Sequence, residues 1–117
     1  MTTLCYISQV MFPQALPQLT AFEAEAAANG YLLDNLPDRF LAIEPRFDVA
    51  KRCWRIPVVI SYLRIGPIGE VGEIYVSSSS EEIISATPLD EMKTRAHVLY
   101  EQHREAIEAA FHRARNV

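Results

Sequence analysis

The sequence predicts a two-layer α+β fold, in which an antiparallel meander of three to four strands packs against an N-terminal helix and a long C-terminal helix. Two patterns carry this prediction. Residues 52–63 alternate large apolar side chains with mixed ones, at the period of two that marks a β-strand. Residues 88–115 carry an apolar stripe at helical period. Because 117 residues match the commonest domain size, we expect a single α+β domain over residues 1–117.

The N-terminal helix is predicted over residues 18–29, where alanine and glutamate dominate. Gly30 can adopt the left-handed conformation that closes a helix, so we expect the helix to end at Asn29. Upstream, residues 4–12 show no clear period and fit either a short strand or the start of a helix. The apolar face expected to pack on the sheet comprises Leu16, Leu19, Phe22 and Ala26.

The strand over residues 52–63 is the clearest in the chain. Its alternation places large apolar side chains on one face, which we expect to be the core face. Pro57 cannot donate a ladder hydrogen bond, so the strand must lie at an edge or carry a bulge there. The predicted core face comprises Trp54, Ile56, Val58, Ile60 and Tyr62.

Shorter strands are predicted on both sides of this one. The earlier of them is interrupted by Pro45. The glycines near residues 66–72 are expected to serve a turn and a close backbone approach. The remaining predictions are strands at 39–43, 70–76 and 82–86, with turns at 66–69 and 77–80.

The C-terminal helix has marked boundaries. Thr87 is a natural N-cap, Pro88 suits the first helical position, and Asp90 stands where a weak capping box would place it. A single helix from Pro88 to about Arg115 would be roughly 40 Å long at 1.5 Å per residue. Because a typical strand spans only roughly 17–20 Å, we expect the second half of the helix to overhang the sheet.

An overhanging apolar stripe needs cover, since exposed apolar surface is costly in water. The sequence therefore predicts an interface between two copies of the chain, related by a two-fold axis. The competing explanation is that the N-terminal segment, with Leu16, Leu19 and Phe22, folds back over the overhang. The predicted interface residues are Ile107, Ala110, Phe111 and Ala114.

Composition excludes several classes of function. The net charge is −4, and Lys51, Arg52 and Arg55 form only a small basic cluster, so nucleic acid is not an expected partner. No run approaches the roughly 18 apolar residues that span a membrane. Cys5 and Cys53 form no CxxC pair, and the first residues lack the basic start of a secretory signal. We therefore expect free thiols and a cytoplasmic location.

Residues 52–86 also carry a hairpin pattern, in which an aromatic-led strand is followed by a second strand, a polar turn and a Glu-Ile pair. The matching positions are Trp54, Ile56, Val58, Ile74, Tyr75, Val76, Glu82 and Ile83, with Ser77 and Ser80 in place of the usual aspartate and threonine, and Glu81 in place of the turn glycine. This stretch resembles the PepSY-like module, a small helix-plus-hairpin domain of protease propeptides and regulatory proteins. The resemblance implies a module that binds or inhibits a partner, with no catalytic residues to transfer.

One face of the C-terminal helix groups His97, Glu101, Glu108 and His112 within about 60° of arc. Imidazoles and carboxylates can bind a transition metal, but this spacing is neither H-E-x-x-H nor that of di-iron bundles. A solvated face with Glu–His pairs explains the same residues. We therefore expect no metal and no cofactor.

His103 lies inside the apolar stripe and could face a pocket together with Tyr62 and Tyr75. Packing explains these three side chains equally well, and no catalytic set emerges from the sequence. The leading hypothesis is a non-enzymatic protein that acts by protein–protein contact, as a homodimer or by binding another protein. The alternative is a small-ligand-binding domain or enzyme, with a cystatin-like pocket between sheet and helix.

Overall fold

A computed structural model describes residues 17–115, with side chains to His112. The segment 4–12, the predicted free thiol of Cys5 and the predicted apolar position of Leu16 lie outside the described part. The observed architecture confirms the two-layer α+β prediction: helices pack on one face of an antiparallel sheet. The elements are α1 (Ala21–Asn35), β1 (Phe40–Ala42), β2 (Arg46–Asp48), β3 (Cys53–Tyr62), β4 (Gly66–Ser77), β5 (Ile83–Ala86), α2 (Leu89–Gln102) and α3 (Arg104–Arg115).

The central strand of the sheet is β3. The strand order is β1–β3–β4–β5, and β2 pairs with the first half of β3 while β1 pairs with its second half. Pro57 lies opposite the break between β1 and β2, where its carbonyl accepts a hydrogen bond from the Ile43 N–H at 3.1 Å. An irregularity in the pairing with β4 follows at Val58 and Val59. Pro57 therefore lies in the gap between the residues of β3 that pair with β1 and those that pair with β2, although β3 is not an edge strand.

The turn between β3 and β4 lies earlier than predicted. Residues 63–65 reverse the chain, and β4 begins at Gly66, so the predicted turn at 66–69 is wrong. Arg64 has a φ of 73° and Gly66 a φ of 88°, and these left-handed conformations produce the tight reversal. Gly66 can then pair directly with Tyr62. Residues 46–48, where no strand was predicted, form the additional strand β2.

The core lies between the sheet and the helices. The predicted core face of β3 is confirmed for Trp54, Ile56, Val58 and Ile60, which are all buried there, whereas Tyr62 at the end of the strand is only partly buried. Gly72 lets α2 approach the sheet closely, because a Cβ at this position would lie 2.8 Å from Thr87 Cβ and 2.9 Å from Met92 Cγ. The other main core residues are Ala24, Ala28, Leu32, Val71, Ile74, Val76, Met92 and Ala96.

Helix α1 differs from the prediction in its length and its buried face. Thr20 and Glu23 form a capping box at its start, and the helix continues through Gly30 to Asn35. Its buried stripe comprises Ala24, Ala28 and Leu32, whereas Phe22 is 81% exposed. The prediction of an end at Asn29 is wrong because the Asn29 side chain bonds the Ala42 backbone, at 2.9 and 3.1 Å, and holds this region against β1.

The start of the C-terminal helix also differs from the prediction. Helix α2 begins at Leu89 with Pro88 as its N-cap residue and no side-chain cap. Thr87 does not cap the helix, because its hydroxyl accepts a hydrogen bond from the Glu73 N–H at 3.0 Å and ties the helix start to β4.

The helix is not continuous. His103, with φ −115° and ψ 15°, separates α2 from α3, and its ring Nδ1 lies 2.9 Å from the Leu99 carbonyl oxygen. The His103 N–H donates to both the Leu99 and the Tyr100 carbonyl oxygens at 3.1 Å, so the last turn of α2 tightens here before α3 begins. The single helix predicted over residues 88–115 is therefore two helices.

Candidate functional site: two grooves at the Tyr62 end of the sheet

Two open grooves meet at the end of the sheet where β3 finishes. The rings of Tyr62 and Tyr100 separate them, with centroids 6.1 Å apart and planes tilted by 43°. The guanidinium of Arg39 lies 4.6 Å from the centroid of the Tyr62 ring, in a cation–π contact. Arg39, Tyr62 and Tyr100 therefore belong to both grooves.

The first of these, the end groove, has a volume of about 450 Å³ and lies between the β3–β4 turn and α3. Leu63 on the turn is 78% exposed, and Phe111 on α3 is 60% exposed. Ile107 and Ala110 also line the groove but are buried, at 8% and 1% exposure. Large apolar side chains therefore face water from both walls of the end groove.

The second, the lateral groove, has a volume of about 370 Å³ and lies between the β1–β3 edge of the sheet and α2. Its floor is apolar and includes the buried residues Phe40, Ile60 and Ala96. Arg39, Lys93 and His97 stand around it with exposed side chains. An apolar floor with a few polar groups at its rim is the usual composition of a ligand site.

Arg55, on the outer face of the sheet, forms ion pairs with two glutamates, whereas Arg39 at the grooves stacks on a tyrosine. Arg55 Nε bonds Glu73 Oε1 at 2.7 Å, and Arg55 Nη2 lies 3.8 Å from Glu70 Oε2. Burial disfavours the charged form, but the Glu73 and Glu70 carboxylates and a hydrogen bond with Tyr75 together outweigh it and raise the pKa of Arg55. Tyr75 belongs to this network, because its hydroxyl donates to Glu73 Oε2 at 3.2 Å and Lys51 Nζ lies 4.8 Å from its ring centroid.

The structure does not bring the three predicted pocket residues together. Tyr62 lines both grooves, whereas Tyr75 lies on the opposite face of the sheet. His103 occupies the break between α2 and α3, where it lines a separate open depression together with Glu101 and Glu105. Of these side chains, only Tyr62 is placed where a ligand could contact it together with Arg39.

The helix break interrupts the face on which the sequence groups His97, Glu101, Glu108 and His112. His97 Nε2 lies 3.9 Å from Glu101 Oε2, and Glu101 also pairs with Arg104 at 2.9 Å. Glu108, beyond the break, accepts a hydrogen bond from the Tyr100 hydroxyl at 3.5 Å. Within residues 17–112, no group of three or more His, Cys, Asp or Glu side chains is arranged to hold a metal ion.

Cys53 lies at the start of β3 and is a buried, free thiol. Burial raises its pKa, and the nearby Asp48 carboxylate adds to this effect. Since the thiolate is the reactive form, Cys53 is a packing residue in this position and not an activated nucleophile.

The sequence marked part of each groove, since Ile107, Ala110 and Phe111 line the end groove and Tyr62 lines both. The complete grooves were not predicted, because their walls come from distant parts of the chain. Arg39 and Lys93 belong to separate elements, and no local pattern relates them. Among the described helices, none is long and apolar enough to cross a membrane. Comparisons with family models, with curated proteins and with solved structures gave no match.

Proposed function

We propose that this chain is a small non-enzymatic protein that acts through protein–protein contact, and that it self-associates through the end groove. The observation that carries the proposal is the pair of exposed apolar side chains, Leu63 and Phe111, on facing walls of one groove. Exposed apolar surface costs about 25 cal/mol per Å², and clustered patches commonly mark interfaces. A two-fold contact between identical chains is the commonest way to cover such a patch.

The proposed interface involves fewer of the predicted residues than the sequence alone indicates. Ile107 and Ala110 are already buried within one chain, so they would support the contact from beneath and not form its surface. The Ala114 side chain lies outside the described part. We therefore centre the interface on Phe111 and Leu63.

In the competing explanation the N-terminal segment, with Leu16, Leu19 and Phe22, covers the overhang; Leu16 lies outside the described residues, and neither Leu19 nor Phe22 lines the end groove. The carbonyl of Leu19 accepts a hydrogen bond from Trp54 Nε1 at 2.9 Å, which places Leu19 at the opposite end of β3 from Tyr62. Phe22 is exposed on α1. The resemblance of residues 52–86 to PepSY-like modules agrees with a partner-binding role.

Sedimentation equilibrium on wild type, Phe111→Glu and Leu63→Glu tests the proposal. We expect the wild type to run at twice the monomer mass of 13.2 kDa at micromolar concentration. Each glutamate places a charge in the apolar contact, so each variant should dissociate at least about tenfold more readily, a change of about 1.4 kcal/mol.

Phe22→Glu is the matched control. It makes the same substitution at an exposed helical phenylalanine away from the end groove, and it should leave the dimer intact. Thermal unfolding of every variant checks that each one folds. A wild-type protein that stays at 13.2 kDa throughout the concentration range contradicts self-association.

A further inference from the structure

The lateral groove offers a flat apolar floor that the proposed self-association does not use. Phe40 and Ile60 are paired across β1 and β3 and form part of this floor, with Ala96 of α2 beside them. The rings of Tyr62 and Tyr100 close one end. The volume of about 370 Å³ falls within the range of about 300–1,000 Å³ that is usual for small-molecule sites.

Among the described residues, Arg39 and Lys93 at the rim of this groove have no carboxylate partner. By contrast, Arg55, Arg95 and Arg104 all pair with glutamates. Arg39 instead stacks on Tyr62, which fixes its guanidinium at the mouth of the groove while its N–H groups stay available.

The lining of the lateral groove carries positive charge, although the whole protein is negatively charged. The chain has a net charge of −4, yet the described lining of the lateral groove contains no carboxylate. Arg39 comes from the segment that leads into β1, whereas Lys93 and His97 come from α2. Cationic side chains therefore converge from two walls on one apolar floor.

We propose that the lateral groove binds a small organic anion, in which a carboxylate or phosphate is joined to a flat apolar body. The anionic head lies between Arg39 and Lys93, because a guanidinium forms paired hydrogen bonds to such groups and an ammonium adds a second charge. The body lies on Phe40 and Ile60, beside the tyrosine pair. His97 supplies a further donor, although Glu101 lies 3.9 Å from its Nε2.

Two fluorescent dyes distinguish binding that depends on the anionic head of the ligand from binding that depends only on its apolar body. Anilinonaphthalene sulfonate carries an anionic head, and N-phenylnaphthylamine has the same ring system without it. We expect the wild-type protein to bind the sulfonate at least about tenfold more tightly than the uncharged dye, because charge-assisted hydrogen bonds are roughly twice as strong as neutral ones.

Charge reversal then locates the head. Lys93→Glu should weaken binding of the sulfonate by about tenfold and leave the uncharged dye unaffected, because Lys93 is exposed and its replacement alters only the electrostatic contribution. Arg39→Gln should act in the same direction. Arg46→Glu is the matched control, since Arg46 is an exposed arginine on β2, at the other end of β3.

Naphthoate and naphthyl phosphate distinguish the two kinds of head. Amide chemical shifts during titration should change at residues 37–40, 60–62 and 93–100, and the tighter of the two ligands identifies the preferred anion. Equal binding of the two dyes, unchanged sulfonate binding in Lys93→Glu and Arg39→Gln, or shifts confined to the end groove would each overturn the proposal. Lys93 lines the lateral groove and not the end groove, so the Lys93→Glu result is independent of the oligomeric state, whereas Arg39 borders both grooves.

Discussion

Gly30 and Gly72 occupy opposite environments, and the difference decides what an added methyl group does. Gly30 lies inside α1, and a Cβ at this position would meet no heavy atom within 4 Å. Gly72 faces α2, where the added Cβ would lie under 3 Å from atoms of Thr87 and Met92. The first glycine costs the helix conformational entropy, whereas the second permits close packing of helix on sheet.

Gly30→Ala should therefore stabilise the protein by about 0.5–1 kcal/mol, the usual advantage of alanine over glycine in a helix interior. Gly72→Ala should destabilise it by about 1–3 kcal/mol, since Thr87 and Met92 must move to admit the methyl group. Urea unfolding of both variants measures these changes. If Gly30→Ala instead destabilises the protein, Gly30 terminates the helix in solution, and the helix boundary described above is wrong.

At the scale of elements, one side chain joins the first helix to the edge of the sheet. Asn29 Nδ2 donates to the Ala42 carbonyl at 3.1 Å, and Asn29 Oδ1 accepts from the Ala42 N–H at 2.9 Å. Ala42 is fully buried, so its polar backbone groups depend on this amide for partners on the helix side. The position of β1, and with it the Arg39 wall of the lateral groove, depends on this contact.

Asn29→Ala should destabilise the protein by about 1–3 kcal/mol, because buried backbone groups then lose their partners. Asn35→Ala is the control, since it makes the same substitution at an exposed residue that bonds only the Tyr31 carbonyl. That variant should change stability by less than about 0.5 kcal/mol. Hydrogen exchange of the Ala42 amide should accelerate in Asn29→Ala alone, and unchanged exchange would show that this contact does not hold β1.

The whole molecule is held by one apolar layer between sheet and helices. Val58 is fully buried at its centre, and Ile60 extends it towards the lateral groove. Helix α1 contributes Ala28 and helix α2 contributes Ala96, and these small side chains let both helices lie close to the strands. The proposed functional surfaces are grooves at the margin of this layer.

Val58→Ala and Ile60→Ala should each lower the free energy of unfolding by about 1–4 kcal/mol, through lost burial and a residual cavity. Val98→Ala is the control, because Val98 is half exposed on α2 and its replacement removes little buried surface. If the dependence of the unfolding free energy on urea concentration keeps the same slope, the loss of stability arises in the native state. A cost below about half a kcal/mol for both core variants would contradict the assignment of the core face.

Local pattern was sufficient to predict the fold class, the central strand and its buried face. The alternation from Trp54 to Ile60 requires an extended chain with one apolar side, whatever that side packs against. The helix near the C-terminus was also predictable, since its stripe repeats at the helical period. These features depend on interactions between residues close in sequence, and the sequence alone determines them.

Tertiary structure decided the features that depend on distant residues. Asn29 meets Ala42 across the helix–strand contact, so α1 continues past Gly30 although the local signal predicts an end. Thr87 bonds Glu73 of β4 in preference to its own helix. Arg39 and Lys93 come together only because β1 and α2 flank the same end of β3. A single sequence contains no local pattern that reports such long-range contacts, so the complete grooves emerged only from the assembled fold.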